Sequence, residues 1–108
     1  MTQFEDREKA FEKKFAMDAE LQFKANARRN KLLGLWAADL MGLNPDAAKD
    51  YAVEVVKSDL EEAGEEDVFR KVKGDLDEKG LDISDHRVRR AMSDLMDEAQ
   101  QQILAENQ

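Results

Sequence analysis

The chain of 108 residues has no cysteine, one proline and five glycines. Without cysteine it can form neither disulfides nor thiolate zinc sites, which is typical of a reducing compartment. Its longest apolar run is far shorter than the ~20 residues that cross a bilayer, and the acidic start does not resemble a signal peptide. We therefore expect a soluble cytoplasmic protein with one small domain.

Basic residues are also in the minority, with 17 Lys and Arg against 25 Asp and Glu and a net charge of −8. Residues 1–31 hold eight basic and six acidic side chains, or +2, whereas residues 32–108 hold nine basic and nineteen acidic ones, or −10. An acidic body repels a phosphate backbone, which counts against nucleic acid as the main partner. A nucleic-acid accessory role would have to use Lys24, Arg28, Arg29 and Lys31.

Signals for helix ends divide the chain into four helical segments, and signals for strands are nearly absent. Thr2 and Glu5 form a capping box at the start of the first helix. Later boundaries are marked by Gly42, Asn44, Pro45, Gly64, Gly80 and Ser84. Short connections make neighbouring helices antiparallel, so we predict an all-α fold: a small four-helix bundle with a long or broken first helix whose N-terminal part is detachable.

Apolar side chains recur at three- and four-residue steps, which gives each predicted helix one buried face. The predicted bundle core consists of Leu33, Trp36, Leu40, Tyr51, Val55, Phe69, Val72, Met92, Leu95 and Ile103. The pattern in the second helix continues to Leu60, which we also expect to be buried.

The first helix carries a narrow aromatic stripe made of Phe4, Phe11 and Phe15. At 100° per residue the stripe continues through polar residues from position 18 to position 29 and becomes apolar again at Leu33. We infer that Leu32 onward belongs to the bundle and that residues 2–17 form a separate, marginally stable amphipathic unit. The chain is accordingly divided into an N-terminal segment, 1–19, and a helical domain, 20–108.

A charged segment with an aromatic stripe suits a helix that binds in a partner's groove. The predicted partner-binding residues are Phe4, Arg7, Glu8, Phe11, Lys13, Lys14, Phe15 and Asp18. An alternative is that the rings pack on the chain's own bundle. A membrane-surface helix is disfavoured because residues 1–20 sum to −2.

Three stretches imitate chemical sites. Ser84, Asp85 and His86 are consecutive on a helix start and point in different directions, so they cannot act as a catalytic triad. The run from Asp75 to His86 resembles a calcium loop but has Lys79 at a ligand position and lacks the final Glu. The carboxylates of residues 59–67 are typical of a solvated corner, and no phosphate-binding glycine motif is present.

We therefore predict no enzyme activity, no metal site and no cofactor, while weak nucleotide binding between helices stays open. The residues alone favour a protein that acts by binding a partner, and a general helical adaptor is one such class.

Three long strings carry a family resemblance: FEDREKAFEKKFAMDAELQFKANARRNKLLGLWAA (4–38), EEAGEEDVFRKVKGDL (61–76) and ISDHRVRRAM (83–92). They closely resemble the zeta subunit family, the ATPase inhibitor subunits of alphaproteobacterial F-type ATP synthases. The resemblance covers essentially the whole chain.

The resemblance implies a four-helix fold whose N-terminal segment inhibits ATP hydrolysis by the F1 head. It implies that the segment enters a catalytic α/β interface near the γ shaft, with the α, β and γ subunits as partners. It further implies one-way inhibition, at the cytoplasmic face of the inner membrane, with membrane association only through the ATP synthase. The alternative is a helical protein–protein adaptor with no ATPase target.

Overall fold

The computed structural model of the protein describes residues 18–61 and 64–106. These residues form four helices: α1 (Ala19–Leu40), α2 (Pro45–Glu61), α3 (Glu65–Glu78) and α4 (Asp85–Glu106). No strand occurs in these two ranges. The prediction of an all-α, four-helix fold is therefore confirmed; the detachable N-terminal part lies outside the described residues.

Local capping explains where the helices begin and end. The Ala47 N–H donates to Asn44 Oδ1 at 2.8 Å, and the Arg87 N–H donates to Ser84 Oγ at 3.1 Å. Gly42 follows α1 with φ of +72°, a left-handed conformation that only glycine adopts without strain. These ends agree with the boundaries read from the sequence.

Helix α1 packs against both α2 and α4. At its crossing with α2, a Cβ built on Gly34 would lie 2.6 Å from the Ala52 Cα, so only glycine permits this close approach. The helix backbones are consequently in direct contact at the centre of the bundle.

Most of the buried apolar residues in the described ranges belong to one of two clusters. Seven of the predicted core residues are buried: Leu33, Tyr51, Val55, Phe69, Val72, Met92 and Ile103. Trp36, Leu40 and Leu95 are partly buried and pack against the larger cluster. The smaller cluster joins Leu21 and Ala25 of α1 to Ile103 of α4.

Two expectations about the bundle are wrong. The bundle does not start at Leu32, because Leu21 and Ala25 are already buried. The buried series of α1 at positions 21, 25, 29, 33 and 37 meets the predicted stripe at positions 29 and 33 but departs from it at positions 21 and 25.

The second correction concerns Leu60, which is 63% exposed instead of buried. It lies about 140° around α2 from the buried Val55 and about 40° from the half-buried Val56. The apolar stripe of α2 is therefore wider than the face that its neighbours cover.

Candidate protein-binding surface

The residues predicted to bind a partner lie, with one exception, outside the described residues: Phe4, Arg7, Glu8, Phe11, Lys13, Lys14 and Phe15. The exception is Asp18, whose Oδ1 accepts hydrogen bonds from the N–H groups of Glu20 and Leu21 at 3.0 and 3.2 Å. In the structure Asp18 is thus the N-cap of α1, and it satisfies two backbone donors at the start of the helix.

Asp18 also marks the start of the helical backbone. Its φ of −109° and ψ of 104° are extended, so α1 begins at Ala19 and does not continue backward through this residue. Whatever conformation residues 1–17 adopt, they are joined to the bundle through a non-helical residue.

An open groove of about 700 Å³ lies between α1, the end of α2 and α4. We call it the Phe23–Leu60 groove, and its apolar side chains are Phe23, Ala27, Val56, Leu60, Met92 and Met96. Phe23 and Leu60 are 61% and 63% exposed, which is unusual for side chains of this size and typical of a binding surface.

The charged lining of the groove is Arg29, Asp59, Glu65 and Asp97. Arg29 is buried; its Nε donates to Asn30 Oδ1 at 2.8 Å, and its Nη1 lies 3.8 Å from a Glu65 carboxylate oxygen. Burial lowers the pKa of Arg29, and the carboxylates of Glu65 and Asp59 oppose this. With three carboxylates and one guanidinium, the groove favours a cationic partner.

Three of the four basic residues considered for nucleic acid, Lys24, Arg28 and Arg29, contact other side chains of the protein. Arg28 donates to Gln102 and to both carboxylate oxygens of Glu106, at 2.7 to 3.0 Å. Lys24 lies 3.4 Å from Glu20. These pairs give the basic side chains a structural role.

The calcium-like run contributes to a contact between α2 and α3. The Tyr51 hydroxyl donates to Asp75 Oδ2 at 2.8 Å, and Lys71 Nζ lies 3.1 Å from the same oxygen and 3.5 Å from Glu54. Burial, and next the hydrogen bond to Asp75, raise the pKa of Tyr51 far above its usual value. Within residues 18–61 and 64–106, no three potential metal ligands are grouped.

The carboxylate corner is also used in part for internal contacts. Arg89 donates to the two Glu66 oxygens at 2.8 and 3.2 Å, and its guanidinium lies 3.9 Å above the Phe69 ring. The hydrogen bond with Arg89 lowers the pKa of Glu66 and raises that of Arg89. The pair connects α3 to α4.

The apparent triad residues serve the start of α4. Ser84 is the N-cap, Asp85 lies 4.0 Å from Lys73, and His86 is exposed. In the part of the chain that the structure describes, no helix has both the length and the apolar character for a membrane span.

These residues define a small acidic all-α domain whose polar clusters hold helices together and whose exposed large apolar side chains border a groove. Such a surface is typical of proteins that act by binding other proteins. The family model described as ATPase inhibitor subunit zeta matches residues 1–102, so the chain belongs to that family.

One solved structure, determined by solution NMR, is similar to the chain, with 53% sequence identity and a TM-score of 0.70. The match covers 80% of this chain and 98% of that one. Among curated proteins, none matches. Family membership supports an ATPase-inhibitory, regulatory role with an ATP synthase as the partner.

Sequence reasoning did not identify the groove. Phe23 and Leu60 are far apart along the chain, and only the crossing of α1 and α2 brings them to one surface. A usable signal was nevertheless present, because Phe23 does not belong to the four-residue series that α1 buries.

Proposed function

We propose that the chain inhibits ATP hydrolysis by inserting its N-terminal segment, residues 1–19, into a catalytic α/β interface of F1 near the γ shaft. The observation that carries this proposal is the extent of the family match, which starts at residue 1 and so includes the aromatic stripe. The alternating charges around that stripe also suit a helix with an apolar anchor and a polar rim.

The stripe supplies the binding energy. Burying three phenylalanine side chains contributes roughly 5–8 kcal/mol before the segment is ordered. Ordering some fifteen residues offsets much of this gain, so any preformed helix strengthens binding. Arg7, Glu8, Lys13 and Lys14 contact polar groups at the rim of the interface.

Asp18 suits the connection that this mechanism needs. The helix α1 starts only after the extended Asp18, so we expect the segment to enter a cleft while the bundle stays outside. Rotation in the hydrolysis direction closes the interface on the segment, and rotation in the synthesis direction opens it. Inhibition is therefore one-way.

The test uses the cognate F1-ATPase with the full chain and with the Phe11→Ala/Phe15→Ala variant. The wild-type chain lowers the rate of hydrolysis, and the double variant needs at least about tenfold more protein for the same effect because two buried rings are lost. Its melting temperature stays close to that of the wild type. A chain without residues 1–17 serves as the inactive control.

Two outcomes would contradict the proposal. If neither chain changes the rate of hydrolysis, the protein is an adaptor with another target. If the double variant melts far below the wild type, the two rings belong to the core and the division of the chain is wrong.

A further inference from the structure

We propose that the Phe23–Leu60 groove binds the chain's own residues 1–17 when no ATPase is engaged, with Phe11 and Phe15 as the anchors. The groove would then keep the inhibitory segment from binding F1, and we call this the reserve role of the groove. The regulatory consequence rests on the proposed function of that segment, whereas the docking itself can be measured without an ATPase.

The apolar surface of the groove is incomplete in the described residues. Phe23 from α1 and Leu60 from α2 are mostly exposed and flank the groove that Val56 and Met96 also line. Exposing two large apolar side chains at one site is unfavourable, and a covering apolar group removes both from water.

The segment is attached within reach of this site. Phe23 lies five residues after Asp18, or about 7.5 Å along α1. Phe15 lies three residues before Asp18, a distance that an extended chain spans at up to about 10 Å. A reversal of the chain between Phe15 and Asp18 would therefore bring Phe15 to Phe23.

The spacing of the two anchors also fits the groove. Along α1 the groove runs from Phe23 to Arg29, which is about 9 Å of helix. Phe11 and Phe15 are four residues apart and, in a helix, lie on one face about 6 Å apart. Both rings can then occupy the groove together.

Charge favours the same occupant. The groove has three carboxylates, from Asp59, Glu65 and Asp97, and the single guanidinium of Arg29. Residues 7–14 have four basic and two acidic side chains and are therefore oppositely charged. A phosphate-bearing ligand would meet repulsion where this segment meets attraction.

Because the segment is covalently connected to the bundle, even a weak contact with the groove is sufficient for docking. A short tether gives an effective concentration on the order of millimolar, so docking with millimolar affinity is already well populated. Docked molecules cannot bind F1 with the same rings. The apparent affinity for F1 equals the intrinsic affinity multiplied by the fraction of molecules whose segment is free.

The first experiment measures amide hydrogen exchange in the free full-length protein. The groove variant is Leu60→Lys, and the matched control is Val53→Lys, an exposed aliphatic residue on α2 outside the groove lining. We expect amides 9–16 to exchange roughly two- to tenfold faster in Leu60→Lys than in the wild type, and unchanged in Val53→Lys. Phe23→Ser repeats the effect from α1.

Equal exchange in wild type and Leu60→Lys, or equal acceleration by both lysine variants, overturns the proposal. Protection that grows with protein concentration also overturns it, since the groove would then bind a second copy. Melting curves of all variants test whether unfolding causes the faster exchange. We expect them to match the wild type, because the substituted side chains are exposed.

The second experiment measures inhibition of F1-ATPase by the same variants. We expect Leu60→Lys to inhibit at roughly two- to tenfold lower concentration than the wild type, with Val53→Lys unchanged. Unchanged inhibition together with accelerated exchange overturns the reserve role. Accelerated exchange with no inhibition by any variant leaves docking intact and removes the proposed function instead.

Discussion

The two ends of the helical bundle are packed differently. At one end, twelve buried residues form a continuous core, to which every helix contributes. At the other end, where α1 begins, only Leu21, Ala25 and Ile103 are buried together. Local stability follows the number of buried apolar contacts, so the end that adjoins the N-terminal segment should open first.

A buried polar pair separates the two ends. Arg29 and Asn30 hydrogen-bond to each other, and Asn30 Nδ2 has no hydrogen-bond partner in the described part of the chain. A buried donor without a partner costs about 1–3 kcal/mol. A buried donor without a partner therefore lies next to Arg29, which lines the groove.

The largest predicted effect is on the free energy of unfolding, and it should differ between two leucines of α1. Leu33→Ala, in the large cluster, should lower the free energy of unfolding by about 3–5 kcal/mol, whereas Leu21→Ala, in the small one, should lower it by about 2 kcal/mol. The end with few neighbours relaxes around a cavity more easily. Urea unfolding monitored by circular dichroism measures both, and equal losses would show that the ends are equally well packed.

The next prediction concerns the crossing at the centre. Gly34→Ala should destabilise the fold by about 1–3 kcal/mol because the new methyl group meets the Ala52 backbone at 2.6 Å. Gly74→Ala is the control, since a Cβ there has no neighbour within 4 Å, and it should stabilise α3 by about 0.5–1 kcal/mol. A loss in both variants would contradict this explanation, because a Cβ at Gly74 meets no neighbour and should not destabilise the helix.

The stability of the protein should depend on pH through Tyr51, which lies at the large-cluster end. The pKa of Tyr51 is raised in the folded state. Its contribution to the free energy of unfolding is therefore fully present below its pKa in the unfolded state, about 10, and is lost as pH rises beyond that value. Between the two values, stability falls by up to about 1.4 kcal/mol per pH unit. Thermal unfolding from pH 9 to 11 should show a shallower decline for Tyr51→Phe, and identical slopes would contradict the assignment.

The smallest effect belongs to the ion pair at the small-cluster end. Arg28→Ala removes the contacts with Gln102 and Glu106 and should lower the unfolding free energy by less than about 1 kcal/mol, because the pair is partly solvated. The loss should shrink at 1 M salt. A large loss that is insensitive to salt would show that the aliphatic part of Arg28 contributes to packing.

Helix ends were predictable because the interactions that make them are local. Asn44 and Ser84 bond to an N–H three residues later, and the left-handed turn at Gly42 depends on that residue alone. The type and order of the helices follow from the same local rules. The aromatic stripe is likewise visible in the sequence, and its role as an inhibitory wedge stays a prediction.

Which faces become buried could not be read in the same way. Leu60 continues the apolar pattern of α2 and is exposed, while Arg29 interrupts the pattern of α1 and is buried. Periodicity identifies an amphipathic helix but does not state how wide a face its neighbours cover.

The order of the four described helices, the acidic body and the presence of an aromatic stripe could therefore be read from the sequence, because each depends on composition or on residues within one or two helical turns. The tertiary structure alone decided the position of the Phe23–Leu60 groove and the burial of Arg29. Both depend on how closely α1, α2 and α4 approach one another, and that distance is set by contacts such as Gly34 against Ala52, between residues far apart in the chain.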